Sequence, residues 1–412
     1  MSPQSPVSSP QPGRSSLLIT NIGALVTNAS GVPGDVGVVR DGAVGIQDGL
    51  IAWVGRAADL PDEYRDVPSV DAEGRAATPG FVDAHTHLVF AGDRSDEFGR
   101  RLAGEEYETI LAAGGGIHST VAATRAASFG SLVSDAAARL NRMLACGTTT
   151  IEAKSGYGLT TTEEVRILEA TRDAGERSRV DVVATFLGAH VPDRGVGLGV
   201  YVDLVVDEML PACAPLASFC DVFCDPAAFG PEDTERILHA ARAVGLDLRL
   251  HAEQLGHGGG AALAARLGAA SADHLDHATE EDATALAAAG VVAVLLPGAS
   301  LSTRTAQAPA RMLWDSGVTV GLGTDCNPGT SYVENMGFVV ALACLELGLT
   351  PDEALWAATL GSARSLRLDD RGRIAPGAIG DLVILDAPSH HHLPYRPGTN
   401  LVWKVVKEGE VV

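Results

Sequence analysis

Two histidines one residue apart, His85 and His87, stand in the stretch GFVDAHTHLVFAGDR from Gly80 to Arg94. On an extended chain side chains alternate with period two, so both imidazoles and Asp83 point the same way. Two imidazoles on one face at a strand end can hold one metal ion. Further candidate ligands recur at later strand ends: His190 in FLGAH, His251 in LRLHAEQ, His274 in SADH and Asp325 in GLGTDCNPGT. His85, His87, His251 and Asp325 make a plausible shell of three nitrogens and one oxygen. That donor set suits zinc or iron better than magnesium or calcium, and its chemistry is activation of water. His274 follows closely in strand order and is expected outside the shell, orienting water or stabilising an oxyanion.

Such ligands must be gathered by elements that end at one face. Between residues 80 and 370 the chain alternates. Candidate strands cover 81–87, 148–153, 180–188, 218–223, 247–251, 271–275, 291–295 and 318–323. Between them lie segments such as TTEEVRILEATRDAGER and PEDTERILHAARAVG, with apolar spacing of three and four. Many of these start at Ser, Thr, Asp or Pro and stop near Gly. Eight such units in about 250 residues predict an α/β fold, a (β/α)8 TIM-like barrel, whose chemistry sits at the carboxyl ends of the strands. The glycine runs GGGI and GHGGG lack the spacing of a dinucleotide or phosphate loop.

Both ends of the chain read differently. Residues 17–79 hold short strands and turns, with Asp48-Gly49 as a hairpin signal, and residues 371–412 return to that style. A small β-sandwich domain formed from both chain termini is expected beside the barrel. Residues 1–16, rich in Ser, Pro and Gln, read as a disordered tail without the apolar core of a signal peptide.

The net charge of -22, from 30 basic and 52 acidic residues, disfavours nucleic acid and anionic membranes as partners. No stretch reaches the length of a membrane span. The reading is a cytoplasmic protein with a small-molecule substrate. Six cysteines in 412 residues do not make a disulfide scaffold. Cys220 and Cys224 share a strand face and read as buried thiols.

The chain resembles the metal-dependent amidohydrolases over nearly its whole length, through PGFVDAHTH, the later strand-end His and Asp, and the closing GRIAPGAIGDLVILD. Within them it is similar to the imidazolonepropionase family, through HTHLVFAGDRSDEF, AGGGI, TTTIEAKSGYGL, FLGAH, LHAEQ and TDCNPGT. One departure follows LLPG, where Ser300 and Leu301 stand in a stretch that tends to carry aromatic residues in the family.

That resemblance implies hydrolysis of 4-imidazolone-5-propanoate to N-formimidoyl-L-glutamate in histidine degradation. Metal-activated water attacks the ring carbonyl, with one Zn²⁺ or Fe³⁺ per subunit and a homodimer as the assembly. It implies substrate contacts at Arg94, Tyr157, His190, Gln254, Asn327, Gly329 and Thr330. Arg94 is the anchor for the propanoate, since a guanidinium grips a carboxylate through two parallel hydrogen bonds. Asp325, His274 and Glu253 are the candidates for proton transfer, and spacing does not choose among them. Glu253 can equally brace another side chain. Lys154 is expected to organise its loop with Glu152 rather than bridge two metals. SHHHLPY at 389–395 lies outside the barrel mouth and reads as a packed or surface cluster. Two rivals remain: another cyclic amidohydrolase or deaminase of the superfamily, and a non-enzymatic metal binder.

Overall fold

The computed structural model describes residues 16–105, 115–226 and 228–412. Apart from Ser16, the expected tail lies outside them. The barrel strands are Phe81–Asp83, Thr148–Lys154, Asp181–Ala189, Phe219–Cys224, Asp247–Ala252, Ser271–His274, Val292–Leu295 and Val320–Leu322. They pair in sequence order, each parallel to the next. Helices such as Thr161–Glu176 and Pro231–Ala243 separate them. The fold is the expected TIM-like barrel.

Period-two alternation explains why these runs form strands. The second strand, TTTIEAK, is buried at every position, because one face packs on helices and the other fills the barrel. Helix starts follow local chemistry. Thr160 caps Thr161–Glu176 by accepting from the Glu163 N–H, and Thr279 with Asp282 closes a capping box on Glu280–Ala289.

The first strand ends at Asp83, shorter than its pattern suggests. Beyond it the chain pairs with the segment leaving the eighth strand. Ala84 donates to the Leu322 carbonyl, the Asp325 N–H donates to the His85 carbonyl at 2.9 Å, and the His87 N–H to the Cys326 carbonyl at 3.0 Å. This seam closes the cylinder where the histidines stand.

The second domain is a β-sandwich whose eight-stranded mixed sheet draws Leu17–Val26, Val38–Gln47, Leu50–Arg56, Ser69–Asp71 and Ala76–Pro79 from one end of the chain. Leu382–Leu385, Val402–Lys407 and Glu410–Val411 come from the other. Asp48 and Gly49 both have positive φ, the backbone that a two-residue hairpin requires. Ile19, Ile22, Val44, Ile46, Leu382 and Ile384 are fully buried in its own core.

Ion pairs join the two domains. Lys407 Nζ lies 2.9 Å from Asp381 Oδ2 and 2.7 Å from Asp181 Oδ2, at the start of the third barrel strand, and Arg371 reaches the same Asp181 oxygen. All six cysteines are free, with Cys220 and Cys224 buried. Among the described residues, no helix is long and apolar enough to cross a membrane.

Lys407 and Asp381 are each 4% exposed in their side chains, so removing one partner strands a buried charge. Lys407→Met is expected to lower stability by about 3–5 kcal/mol. A lowered thermal unfolding midpoint beside wild type checks it, and an unchanged midpoint refutes it.

Candidate metal centre

Four imidazoles meet inside the carboxyl end of the barrel. The His85 ring centroid lies 5.3 Å from that of His87, 4.6 Å from His251 and 5.5 Å from His274. Asp325 joins across the seam, its Oδ1 at 3.6 Å from His85 Nε2 and 3.5 Å from His87 Nε2. All five residues are buried. Two ligand-like groups overlap at His85: His85, His87 and Asp325 on one side, His85, His251 and His274 on the other. Within each group the ligand atoms lie within 4.8 Å of one another.

The ring nitrogens are poised for a cation. His85 Nε2, His87 Nδ1, both nitrogens of His251 and His274 Nδ1 are buried without a hydrogen-bond partner. Unpaired buried polar atoms are costly, and a metal ion removes that cost. Burial, foremost, holds His85, His87 and His274 well below the usual histidine range, leaving neutral imidazoles with lone pairs to donate. Burial pushes the Asp325 carboxyl up. The donors therefore fit a borderline-soft metal such as zinc or iron.

Carboxylates beneath this layer aim the rings. Asp273 Oδ2 accepts a hydrogen bond from His85 Nδ1 at 2.7 Å, which turns Nε2 toward the cluster. Asp221 Oδ1 accepts the backbone N–H of His251 at 3.1 Å, and its Oδ2 lies 3.1 Å from the ring Nδ1 of His251, off the line of a hydrogen bond. Both acids are neutralised by cations equally buried. Lys154 Nζ lies 2.7 Å from Asp221 and 2.8 Å from Glu152, and Arg249 lies 3.1 Å from Asp273. Lys154 is thus committed to three surrounding acids, Asp273 being the third at 3.6 Å. Sequence reasoning missed Asp221 and Asp273. Their signal was a lone carboxylate inside each of the apolar strands FCDVFC and SADH.

The remaining candidates divide between the cluster and its walls. The His190 ring stacks on His87 at 4.9 Å and 19°. Its Nδ1 donates to the Gly156 carbonyl, so Nε2 is the lone pair. Burial, then neighbouring His251, lowers its pKa to about 3. Tyr157 is buried 5.8 Å from His87. Gln254 is partly exposed on the loop after the fifth strand.

Asn327 organises its turn. Its Oδ1 accepts the N–H groups of Gly329 and Thr330, both at 2.8 Å, and its Nδ2 donates to the Asp325 carbonyl. The Thr330 hydroxyl lies 3.5 Å from Asp325 Oδ2. Arg94 packs on the same turn: a Cβ on Gly329 would stand 2.2 Å from its Nη1. Its Nε and Nη2 both bond Glu97, at 3.0 and 2.9 Å. A cleft of about 500 Å³ opens beside Arg94, Gly329 and Thr330, walled by Phe98, Leu301 and Tyr332.

Glu253 takes the bracing alternative. Its carboxylate accepts the N–H groups of Gly258 and Ala261, holding the loop and the first turn of Gly260–Leu267. Asp276 meets Ser300 at 3.3 Å, within the stretch that departs from the family pattern, and burial raises its pKa to about 7.

Residues 99–412 match the family model described as Amidohydrolase family. An imidazolonepropionase of Mycolicibacterium smegmatis is 50% identical over 96% of this chain and 97% of its own length. One from Haloarcula marismortui is 49% identical over 90% of each. The chain belongs to the imidazolonepropionase family of amidohydrolases. Among solved structures, an ochratoxinase of A. niger superposes with a TM-score of 0.71 at 20% identity, covering 96% of this chain and 95% of its own, a likeness of fold.

Family membership makes the supporting carboxylates a sharp test. Asp273→Asn keeps shape but loses the charge that polarises His85, and such changes cost about 10–100-fold in metal affinity. His251→Ala is expected to lower metal content further by removing a ligand. Elemental analysis and competitive metal titration of both variants measure this, and full occupancy with unchanged affinity in both would reject the centre.

Proposed function

We propose that this chain hydrolyses the ring amide of 4-imidazolone-5-propanoate, giving N-formimidoyl-L-glutamate. The carrying observation is the cluster of buried imidazoles with unpartnered ring nitrogens, gathered beside Asp325 at the barrel seam, in a chain half identical to imidazolonepropionases. His85, His87, His251 and Asp325 would hold one Zn²⁺ or Fe³⁺ per subunit. Such an ion supplies Lewis acidity, lowering the pKa of a bound water from about 15.7 to about 7 and polarising a carbonyl.

The residues of the chain supply the rest. Asp325 takes a proton as water adds to the ring carbonyl and returns it to the ring nitrogen as the carbon–nitrogen bond breaks. His274 donates a hydrogen bond to the oxygen that gains charge. Of the three proton-transfer candidates, Glu253 is the least suited, because its oxygens are occupied by backbone N–H groups. Tyr157, His190 and Gln254 line the ring site, and the turn of Asn327, Gly329 and Thr330 holds both Asp325 and Arg94 in place. Arg94 receives the propanoate through the Nη1 side that faces Gly329, while Glu97 fixes its other edge. A local cation is needed because the net charge of -22 repels an anionic substrate. The reading includes a homodimer and a cytoplasmic location.

His274→Ala is expected to keep its metal and lose about 10²–10⁴-fold in kcat. Kinetics of metal-replete protein test this, and wild-type turnover would return His274 to a packing role.

Arg94→Met is expected to fold and load metal normally but to raise KM strongly for the acid. A neutral analogue lacking the carboxylate should barely distinguish it from wild type. Equal losses on both compounds would overturn the clamp, and absence of turnover by metal-replete wild type on the acid would overturn the reaction.

A further inference from the structure

The connection between the sandwich strands Leu382–Leu385 and Val402–Lys407 carries three consecutive histidines, and the central cluster uses none of them. Two converge on a carboxylate of the barrel domain. His390 Nε2 lies 2.6 Å from Asp352 Oδ1, and His391 Nε2 lies 3.1 Å from the same oxygen. Asp352 stands in the first turn of the helix Pro351–Trp356, which follows the last barrel strand. The two rings meet edge to face with centroids 4.4 Å apart. One ligand atom from each of the three residues lies within 4.8 Å of the others.

We propose that Asp352, His390 and His391 form a second, peripheral transition-metal site that staples this connection to the barrel. Ligands of a tetrahedral ion with bonds of about 2.0–2.1 Å stand roughly 3.3 Å apart. The observed nitrogen–oxygen separations need to open only slightly to admit one. Two nitrogens and one carboxylate oxygen select Zn²⁺, Ni²⁺ or Cu²⁺ over Mg²⁺ or Ca²⁺.

The group is held in place before any ion arrives. His390 is 4% exposed, Leu393 is buried in the core shared with the barrel, and the Ser389 hydroxyl accepts the His391 N–H. The His391 and Asp352 side chains are 59% and 45% exposed, so an ion bound there would have water at its open positions. No ligand is shared with the central cluster. The inference therefore does not depend on the reaction proposed above.

An ion held across the two domains binds the folded chain and not the unfolded one, so it raises stability by mass action. The test uses full-length protein without a polyhistidine tag. Zn²⁺ is titrated against a chromophoric chelator, and thermal unfolding is followed with and without Zn²⁺. Wild type is expected to take up one equivalent beyond the central one at micromolar Zn²⁺. His391→Ala and Asp352→Asn each lose that equivalent while keeping the central ion.

His251→Ala, weakened at the centre, is expected to keep the peripheral equivalent and its Zn²⁺-dependent rise in midpoint. Adding His391→Ala to it abolishes the rise, and Mg²⁺ produces none in either protein. Equal Zn²⁺ uptake by wild type and His391→Ala would overturn the site. So would the absence of any equivalent beyond the central one, which would leave His390 and His391 as plain ion-pair partners of Asp352.

Discussion

Closure of the barrel is the constraint on which the site depends. The hydrogen bonds from Asp325 to His85 and from His87 to Cys326 join chain segments some 240 residues apart in sequence. They put the only carboxylate of the proposed shell against two of its imidazoles. The seam is also tied from below, where the Asp83 carboxylate takes the Thr324 hydroxyl at 2.6 Å and its N–H at 2.8 Å. A shift of the eighth strand by one residue would turn Asp325 away from the histidines.

Below the histidine layer the barrel holds a second layer of charge rather than hydrocarbon. Glu152, Lys154, Asp221, Arg249 and Asp273 are all fully buried. Ions taken out of water are costly unless paired, and here each acid meets a cation at 3.1 Å or less. The layer does two things at once. It pairs each of its three acids with one of two cations, which leaves a net negative charge beneath the histidines, and it sets carboxylate oxygens beside the Nδ1 edges of His85 and His251. Ligand orientation thereby becomes a property of the rigid strands.

Backbone strain collects at the same face. Glu253, His274, Leu275 and Asp325 have φ of 53°, 75°, 63° and 51°, a region that side chains adopt at some cost. Each lies just after, or at the end of, a barrel strand. The left-handed step breaks the period of two, so that side chains leaving the strands can converge on one point. The surrounding hydrogen bonds hold these residues there, as Asn327 does for Asp325 and Gly258 for Glu253.

The order of strands and helices, the composite sandwich and the gathering of strand-end histidines with Asp325 at one face were legible in the sequence. These follow from local rules: period two in strands, spacing of three and four in helices, polar residues at strand ends. Which carboxylate would meet which imidazole was not legible. Asp273 is adjacent to His274 in the chain yet serves His85, and Asp221 serves His251 from the neighbouring strand. Glu253 stands two residues from a proposed ligand but turns to Gly258 and Ala261. Ser300, in the stretch where the family tends to carry aromatic residues, meets Asp276. Such pairings depend on how strands are staggered around a closed cylinder and on which backbone N–H groups are left without partners. Sequence spacing carries neither quantity, and only the tertiary structure decides them.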